Sequence, residues 1–181
     1  LLIFLSFTKE IYSLEFINKA GHVVHLEPCQ KSDLADCETI FIQAFSQAYE
    51  EFTPEQLGVK DKYLFLKEAF ADVYDDLCLG LQKLMVAKID GKVVGFVGFK
   101  ETEIPNQIYI SQLAVDPSIW QQGIGKWLVF SVFELFEDIE SLVVIPRKIN
   151  TVARAFYYKL GFKESAYMHP GYNPERYIGY E

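Results

Sequence analysis

Residues 113–128, LAVDPSIWQQGIGKWL, pass from an apolar strand through two closely spaced glycines into an amphipathic helix. Gly123 and Gly125 have no Cβ, so their backbone can approach a ligand closely, and the first N–H groups of the helix have no partner within it. The helix dipole adds roughly half a positive charge at this end, and Lys126 adds a full charge nearby. The segment predicts a seat for a phosphate or pyrophosphate, although two glycines at such a turn also occur in ordinary tight turns.

A second segment, residues 150–162, has the sequence NTVARAFYYKLGF and predicts a helix with defined ends. Asn150 is a favourable N-cap residue, and Gly161 stands where a left-handed residue would end the helix. Phe156 and Leu160 recur at helical spacing and can cover one apolar face. Tyr157 can then point elsewhere, with its phenol available for proton transfer. The alternative is that Tyr157 is one more aromatic side chain of that face.

Together, the two segments resemble the GNAT superfamily of N-acetyltransferases. The acetyl-CoA signature of that family is a strand ending in V-x-P, then (R/Q)-x-x-G-x-(G/A) and a helix, and later N-x-x-A-x-x-(F/L)-Y-x-x-x-G-(F/Y). Both patterns occur here in the same order, and their matching residues are Val115, Pro117, Gly123, Gly125, Asn150, Ala153, Phe156, Tyr157, Gly161 and Phe162. The chain departs from the family at Trp120, where Arg or Gln is usual, and at Gln121, where Gly is common.

The resemblance implies a GNAT-type α/β fold, which is a mixed, mostly antiparallel sheet with a splayed parallel strand pair, flanked by helices. It implies that residues 108–115 and 141–146 form this pair. The pantetheine arm of the cosubstrate, acetyl-CoA, is then expected between them, against the backbone of Leu113 and Val115. The residues implied to contact acetyl-CoA are Leu113, Ala114, Val115, Trp120, Gln121, Gln122, Gly123, Ile124, Gly125, Lys126, Asn150 and Ala153.

By the same resemblance, Tyr157 is the general acid toward the departing CoA thiolate. An ordinary phenol has a pKa of about 10, so it holds its proton at neutral pH. It can then donate this proton to a developing thiolate, whose pKa is about 8.5. The attacking amine must lose a proton, and Glu101 and Glu103 are candidates, although charged residues in a strand connection are most often simply solvated. Since the strand 108–115 carries no carboxylate, a relay through water is the other route. The N–H of Val115 or a neighbour can polarise the thioester carbonyl.

Length and composition predict one domain, residues 1–181, in which residues 1–21 form an N-terminal extension of strand-forming character. The apolar run LLIFLSF at its start is too short to cross a bilayer and lacks the features of a secretory signal. Cys29, Cys37 and Cys78 are odd in number and show no CxxC spacing. This usage favours the reducing cytoplasm over a disulfide framework.

The formal net charge of −8 discourages binding to nucleic acid and favours the approach of cationic substrates. His22 and His25 are three residues apart in a predicted strand and point to opposite faces, and His169 stands alone, so no metal site is expected. Four tyrosines near the end of the chain suit an acceptor pocket, a homodimer seam or ordinary strand formation. They are Tyr167, Tyr172, Tyr177 and Tyr180.

Hydrophobic periodicity and turn residues predict continuous α/β structure in the order β-α-α-β-β-β-α-β-α-β-β, which is the GNAT order. The first strand is the second arm of a hairpin over residues 14–27. The later elements are helices over 32–48 and 61–77, then strands over 84–89 and 93–100, which the turn Asp90-Gly91-Lys92 joins in a second hairpin. A strand over 108–115, a helix over 123–136, a strand over 141–146, a helix over 150–160 and closing strands over 162–168 and 175–180 follow.

These observations predict an acetyl-CoA-dependent N-acetyltransferase in which a primary amine attacks directly within a ternary complex. The segment FTPEQL and the two predicted helices around it resemble small bacterial members of the family that acetylate polyamines, so a small amine or polyamine is the expected acceptor. An N-terminal or lysine amine of a protein is the alternative. A third hypothesis, to which the change at Trp120 gives room, is an acyl-CoA-binding regulatory module without catalysis. Neither nucleic acid nor a membrane is expected as a partner.

Overall fold

The computed structural model describes residues 14–136 and 138–181, so the run LLIFLSF lies outside the described residues. The described chain forms an eight-stranded sheet with helices on both faces. The strands are β1 (Leu14–Ile17), β2 (Val23–Pro28), β3 (Lys83–Ile89), β4 (Lys92–Glu101), β5 (Gln107–Val115), β6 (Ser141–Val144), β7 (Glu164–Ser165) and β8 (Gly179–Tyr180). The helices are α1 (Leu34–Ala48), α2 (Pro54–Leu57), α3 (Lys62–Cys78), α4 (Ile124–Glu134) and α5 (Thr151–Leu160).

The strands lie in the order β1-β2-β3-β4-β5-β6-β8-β7. Within the described residues, β5 and β6 are the one parallel pair, with Gln107 opposite Ser141 and Ile110 opposite Val144. Helix α4 is the crossover between them, because parallel neighbours cannot be joined by a tight turn. The predicted sheet, mixed and mostly antiparallel with one parallel pair, is confirmed.

The central strands are buried on both faces, and their side chains alternate between two cores. In β3, Met85 and Ala87 belong to the core that includes α4 and α5, whereas Leu84 and Val86 belong to the core under α1 and α3. Burying a large apolar side chain stabilises a fold by roughly 1.5–3 kcal/mol. The two cores thus hold the middle of the sheet rigidly, which positions β5 for the site described below.

Two turns of the sheet follow the sequence prediction. Strands β1 and β2 pair antiparallel around a turn that contains Gly21, whose φ is +86°. Strands β3 and β4 are joined by Asp90 and Gly91, with φ of +48° and +76°. Positive φ at both central residues is typical of a type I′ turn, for which Asp-Gly is a favoured pair. Both predicted hairpins are confirmed at these residues.

Capping residues mark the ends of two predicted helices, α3 and α5. Asp61 accepts a hydrogen bond from Leu64 N at 2.7 Å where α3 begins. Asn150 Oδ1 accepts from Ala153 N at 3.0 Å where α5 begins, and Gly161, with φ +100°, follows its last residue. These are the expected N-cap and C-terminal glycine geometries. The α5 boundaries were therefore predictable from local sequence.

Apart from shifts of one or two residues at the ends of elements, such as β6 ending at Val144 and not at residue 146, the structure differs from the prediction in two places. Helix α2 was not expected; Thr53 and Gln56 form a capping box there, in a segment too short for hydrophobic periodicity to reveal. The closing strands, predicted over 162–168 and 175–180, are reduced to β7 and β8. Pro170 and Pro174 have no N–H to donate to a strand ladder, so residues 166–178 form an irregular loop.

Candidate active site

Strand β6 pairs along its whole length with the first half of β5 and then ends. Their ladder ends where Ile110 lies opposite Val144; β6 stops there, whereas β5 continues to Val115. Ser111 is an extra residue of β5 that has no partner in β4. Such a bulge bends its strand and interrupts regular pairing. Beyond the bulge, one edge of β5 faces a gap instead of a neighbouring strand.

A buried glutamine holds the bulge in place. Ser111 Oγ donates to Gln82 Oε1 at 2.6 Å, and Gln82 Nε2 donates to the carbonyl of Val73 in α3 at 2.8 Å. Gln82 is buried, and buried amides of folded proteins are paired in this way because an unsatisfied polar group is costly. The bend of β5 is therefore anchored to helix α3.

The backbone groups of Leu113 and Val115 face the gap. The carbonyl oxygen of Ala114 lies toward β4, since a Cβ placed on Gly95 would lie 2.9 Å from it. Backbone groups alternate in direction along a strand, so those of Leu113 and Val115 are directed away from β4. This is the strand edge that the sequence resemblance assigned to pantetheine.

Trp120 occupies part of this edge. Its indole Nε1 donates to the carbonyl of Val115 at 2.7 Å, and the ring packs against both cores. The side chain therefore supports the strand instead of extending toward a phosphate, as the Arg or Gln of the family motif would. The N–H of Val115 and both backbone groups of Leu113 remain directed into the gap.

The loop between β5 and α4 contains two residues in the left-handed conformation. Gln121 has φ +66°, and Gly123, which precedes the first residue of α4, has φ +92°. A left-handed residue that carries a side chain costs roughly 1–2 kcal/mol, and such strain collects at ligand-binding loops. Left-handed residues beside right-handed ones also turn successive N–H groups toward one side, where they form a concave anion site. Together with the free N–H groups of the first turn of α4, the loop has the geometry of a phosphate seat.

The β1–β2 hairpin braces this loop, a contact that the sequence did not predict. Asn18 Nδ2 donates to Gln122 Oε1 at 2.7 Å, and the N–H of Lys19 donates to the carbonyl of Gln122 at 3.2 Å. Phe16 stacks on Trp127 with 5.5 Å between the ring centroids. Lys19 thereby lines the same cleft as the loop and adds positive charge to it. No local signal could reveal a contact between residues 104 positions apart.

A cleft of about 1170 Å³ runs along the open edge of β5. All but one of the residues predicted to contact the cofactor line it, namely Leu113, Ala114, Val115, Trp120, Gln121, Gly123, Ile124, Gly125, Lys126, Asn150 and Ala153. Gln122 is the exception, because its side chain is turned to Asn18. Glu101 and Glu103 are exposed and lie outside the described lining of the cleft, which agrees with the solvated alternative for both.

Tyr157 is the buried residue of α5, with 7% of its surface exposed. Its ring packs edge-on against Phe156 and Phe162, with centroid distances of 5.2 and 5.4 Å. The helical spacing had suggested that Tyr157 points away from the apolar face of α5. Its ring instead belongs to that packed face, and the residue also lines the cleft. Burial raises the pKa of the Tyr157 phenol above its ordinary value, so the hydroxyl keeps its proton at neutral pH.

Aromatic side chains from other elements also line the cleft. Tyr109 Oη donates to Tyr172 Oη at 3.3 Å, and the ring of His169 stacks on Tyr109 with 5.8 Å between centroids. Burial is the main cause of a raised pKa at Tyr109, and the nearby phenols of Tyr172, Tyr167 and Tyr157 contribute to it. The structure thus brings Tyr109, His169 and Tyr172 into contact with one another, in the cleft that Tyr157 also lines.

His169 has one ring nitrogen fixed and one available. Its Nδ1 lies 2.8 Å from the carbonyl oxygen of Pro170. A carbonyl can only accept, so Nδ1 carries the hydrogen in this bond, and in the neutral ring Nε2 then has a lone pair. His169 lines the cleft. Sequence reasoning treated this histidine as isolated, because its neighbours in the cleft are distant in the chain.

The buried tyrosines predict a loss of stability at alkaline pH. Burial raises the pKa of Tyr157 and Tyr109, and it raises that of Tyr49 to about 12. In the unfolded chain, a tyrosine phenol releases its proton at about pH 10. Above that pH, the unfolded state therefore binds fewer protons than the folded state. The free energy of unfolding should therefore fall as pH rises, by up to about 1.4 kcal/mol per pH unit for each such group. Urea unfolding from about pH 8 to pH 11.5 measures this, and a constant midpoint across that range would contradict it.

The described residues also bear on metal binding, membrane insertion and disulfide formation. Across positions 14–136 and 138–181, no group of three or more histidine, cysteine, aspartate and glutamate side chains is arranged to hold a metal ion. Over the same positions, no helix has both the length and the apolar character needed to cross a bilayer. The three cysteines are free thiols, of which Cys29 and Cys37 are buried and Cys78 is exposed.

A comparison with protein families gives one match that spans more than half of the chain. The model described as "Acetyltransferase (GNAT) family" matches residues 42–162. This range includes the β5–α4 loop, the parallel strand pair and helix α5. It therefore contains every element that forms the open strand edge and the phosphate seat.

Individual proteins are similar over parts of the chain. The UPF0157 protein YqkA of Bacillus subtilis is 29% identical over 76 residues, which is 42% of this chain and 22% of that protein. The N-acetylaspartate synthetase of Xenopus tropicalis is 32% identical over 80 residues, which is 43% of this chain and 30% of that protein. The chain thus spans less than a third of the length of these curated relatives.

A solved structure is similar over most of the chain. The PaiA N-acetyltransferase from Thermoplasma acidophilum, crystallised in complex with coenzyme A, has a TM-score of 0.70 and 17% sequence identity. The superposition covers 87% of this chain and 98% of that chain. At this level of identity, the likeness is one of fold.

Proposed function

Because the chain belongs to the GNAT acetyltransferase family, we propose that it transfers the acetyl group of acetyl-CoA to a primary amine. One observation carries the proposal: the edge of β5 at Leu113 and Val115, open beyond the end of β6, leads directly to the glycine loop at the start of α4. An extended chain that contains amides can pair with such an edge while its phosphates reach the loop. Pantetheine and pyrophosphate follow one another in acetyl-CoA in this order.

The residues of the cleft match two parts of acetyl-CoA, the pantetheine arm and the pyrophosphate. The N–H of Val115 and the carbonyl of Leu113 match the amides of pantetheine, which leaves the N–H of Leu113 for the thioester carbonyl. Lys19 and Lys126 lie in the lining beside the phosphate seat, where they offset the negative charge of a pyrophosphate. When bound, acetyl-CoA supplies a thioester whose carbonyl carbon is open to attack by a neutral amine.

The remaining chemistry falls to residues of the chain. As the C–N bond forms, the N–H of Leu113, a neighbour of Val115 on the same edge and farther from the phosphate loop, donates to the carbonyl oxygen, which gains negative charge. As the C–S bond breaks, Tyr157 gives its proton to the sulfur. The raised pKa of Tyr157 keeps the phenol protonated until that moment. The amine loses one proton in the same reaction, so a base is needed as well.

His169 takes that proton. Its Nδ1 hydrogen is directed to the carbonyl of Pro170, so Nε2 is the accepting atom. Imidazole is the side chain most often used for such transfers. In support, His169 and Tyr157 both line the cleft, and His169 stacks on Tyr109, which lines it as well. A relay through water is the alternative that requires no side chain.

Replacing His169 with Gln is expected to lower kcat by roughly 100-fold or more, because Gln keeps a polar side chain but cannot take up a proton. The KM for acetyl-CoA should change little. His25→Gln is the matched control, since the His25 side chain lies beside Glu15 at 3.2 Å and outside the described lining of the cleft. Steady-state kinetics of both variants decide the matter, and an unchanged kcat in His169→Gln would assign the proton to water.

We propose a small molecule as the acceptor, because side chains of α1, α3 and the loop 166–178 all wall the cleft. The net charge of −8 and the presence of Asp72 and Asp76 in the lining support a cationic amine such as a polyamine. Asp76 is already paired with Lys100 at 3.4 Å. An amine of a protein remains the runner-up acceptor.

A second candidate function is an acyl-CoA-binding module without catalysis. The bond from Trp120 to the Val115 carbonyl favours it, because that bond removes one of the groups that would otherwise hold pantetheine. Tyr157 and His169 favour the enzyme, since a binding module needs neither an acid nor a base in the cleft.

The release of free CoA thiol distinguishes these functions. The purified chain is incubated with acetyl-CoA and, separately, with simple alkylamines, polyamines, amino acids and lysine-containing peptides. The proposal predicts thiol release that depends on a small amine, with the N-acetylated product visible by mass spectrometry. Release with peptides alone would move the acceptor to proteins. Binding of acetyl-CoA without release on any amine would favour the binding module.

A further inference from the structure

Arg147 is a buried cation whose hydrogen bonds are incomplete. It lies three residues after β6, and 7% of its surface is exposed. Nη2 donates to the carbonyl of Leu57 at 2.5 Å. Nε and Nη1 are covered by protein atoms and have no hydrogen-bond partner within residues 14–136 and 138–181. Buried polar groups are normally paired, and an exception calls for an explanation.

No carboxylate among the described residues forms an ion pair with Arg147. The guanidinium lies instead between two aromatic rings, with Cζ 5.1 Å from the ring centroid of Phe65 and 5.6 Å from that of Tyr177. Such stacking fixes the plane of the guanidinium but does not satisfy its N–H groups. A buried charge without its counter-ion destabilises a fold, so stability alone does not account for this residue.

The position of Arg147 connects it to the acceptor side of the cleft. It lines the same cleft as Val115 and Tyr157, just after the end of β6, where the pairing of the parallel strands has ended. The chain segments that contact it, the α2 region at Leu57 and the loop that ends at Tyr177, lie outside the two acetyl-CoA motifs. A group bound by Arg147 would therefore belong to the acceptor and not to acetyl-CoA.

The free donors of Arg147 match a planar anion. Nη2 carries two hydrogens, and the Leu57 carbonyl takes one of them. At least one edge of the guanidinium, either Nε with Nη2 or Nη1 with Nη2, thus keeps two parallel N–H donors. This is the arrangement that binds both oxygens of a carboxylate. Since Nε and Nη1 are covered, the side chains over them must shift to admit the anion.

We infer that the acceptor carries a carboxylate in addition to its amine, as an amino acid does, and that Arg147 binds this carboxylate in the cleft. The inference rests on the proposed acetyl transfer and names its substrate class. An amino acid thus replaces the polyamine suggested above as the acceptor. A polycation would bring further positive charge beside Arg147 and no anionic group to pair with it. The acidic surface of the chain does not oppose it, since an amino acid still presents an ammonium group.

The test compares acceptors that share an amine and differ in the carboxylate. Thiol release from acetyl-CoA is measured with the common amino acids, their carboxamides and the corresponding decarboxylated amines, and with polyamines. The inference predicts that kcat/KM for the best amino acid exceeds that for its carboxamide and its decarboxylated amine by on the order of 100-fold. Equal or faster transfer to amines without a carboxylate would overturn the inference and keep the proposed function. If none of the amines gives thiol release, both the inference and the proposed function are overturned.

Arg147→Met is the informative variant, and Arg176→Met is its control. Arg176 is exposed and donates at 3.3 Å to the carbonyl of Gly58, the residue that follows Leu57. Arg147→Met should raise KM for the amino acid by roughly 100-fold, with the Kd of acetyl-CoA and the slow rate with the decarboxylated amine unchanged. An equal loss with all acceptors would show a structural role and overturn the inference. If Arg147→Met fails to fold, the comparison of acceptors with the wild-type chain decides alone.

Discussion

Replacing Tyr157 with Phe is expected to lower kcat by roughly 100-fold or more, because the leaving sulfur then has no side-chain proton donor. The Kd of acetyl-CoA should stay nearly the same, since Phe keeps the ring that packs against Phe156 and Phe162. The melting temperature should also change little, because the lost hydroxyl makes no hydrogen bond within the described residues. Steady-state kinetics at saturating acetyl-CoA, with calorimetry for the Kd, make the measurement.

Tyr158→Phe is the matched control for this prediction. Tyr158 is the next residue of the same helix, and 75% of its surface is exposed. Its hydroxyl is directed away from the core that holds Tyr157, so its loss should leave kcat within about twofold of wild type. Should Tyr157→Phe also keep the wild-type kcat, Tyr157 is a packing residue and has no part in proton transfer.

The second large effect is expected at the phosphate seat. Gly125 is the second residue of α4, and a Cβ there would lie 3.4 Å from Phe156 and 3.7 Å from Val115, which are ordinary contacts. Aspartate at this position should leave the fold intact, because a negative charge favours the N-terminal turn of a helix. The same charge would repel a pyrophosphate, so the Kd of acetyl-CoA should rise on the order of 100-fold. Gly123 is a poorer choice, since its φ of +92° strains any substitution.

Gly125→Ala separates charge from bulk. Alanine adds the same Cβ without the carboxylate, and it should bind acetyl-CoA within a few-fold of wild type. Calorimetric titration of both variants, together with their melting temperatures, completes the experiment. If Gly125→Asp bound acetyl-CoA as tightly as Gly125→Ala, the pyrophosphate would have to lie elsewhere in the cleft.

The parts of the fold that local sequence encodes were predictable. Asn150 and Gly161 mark the two ends of α5, and the pair Asp90-Gly91 joins β3 to β4 through a turn that few other pairs can form. The order of strands and helices, and the glycine loop between β5 and α4, follow from the same kind of signal. Each of these features depends on residues within a few positions of one another.

The features that escaped prediction depend on contacts between distant residues. The bond between Asn18 and Gln122 and the bond between Arg147 and Leu57 join segments 104 and 90 positions apart. The burial of Tyr157 depends on Phe162 and on the sheet beneath it, which helical spacing does not specify. The closing strands were overestimated because strand-forming tyrosines outweighed the effect of Pro170 and Pro174.

The most direct test of acetyl-CoA binding in this cleft is a calorimetric titration of the chain with acetyl-CoA. We expect saturable binding of one acetyl-CoA per chain, with free CoA competing for the same site, because the open edge of β5 and the loop before α4 would contact parts that both molecules share. Higher salt should weaken the binding, since the phosphates would lie beside the positive charges of Lys19 and Lys126. Absence of binding at millimolar acetyl-CoA would contradict the assignment of this cleft.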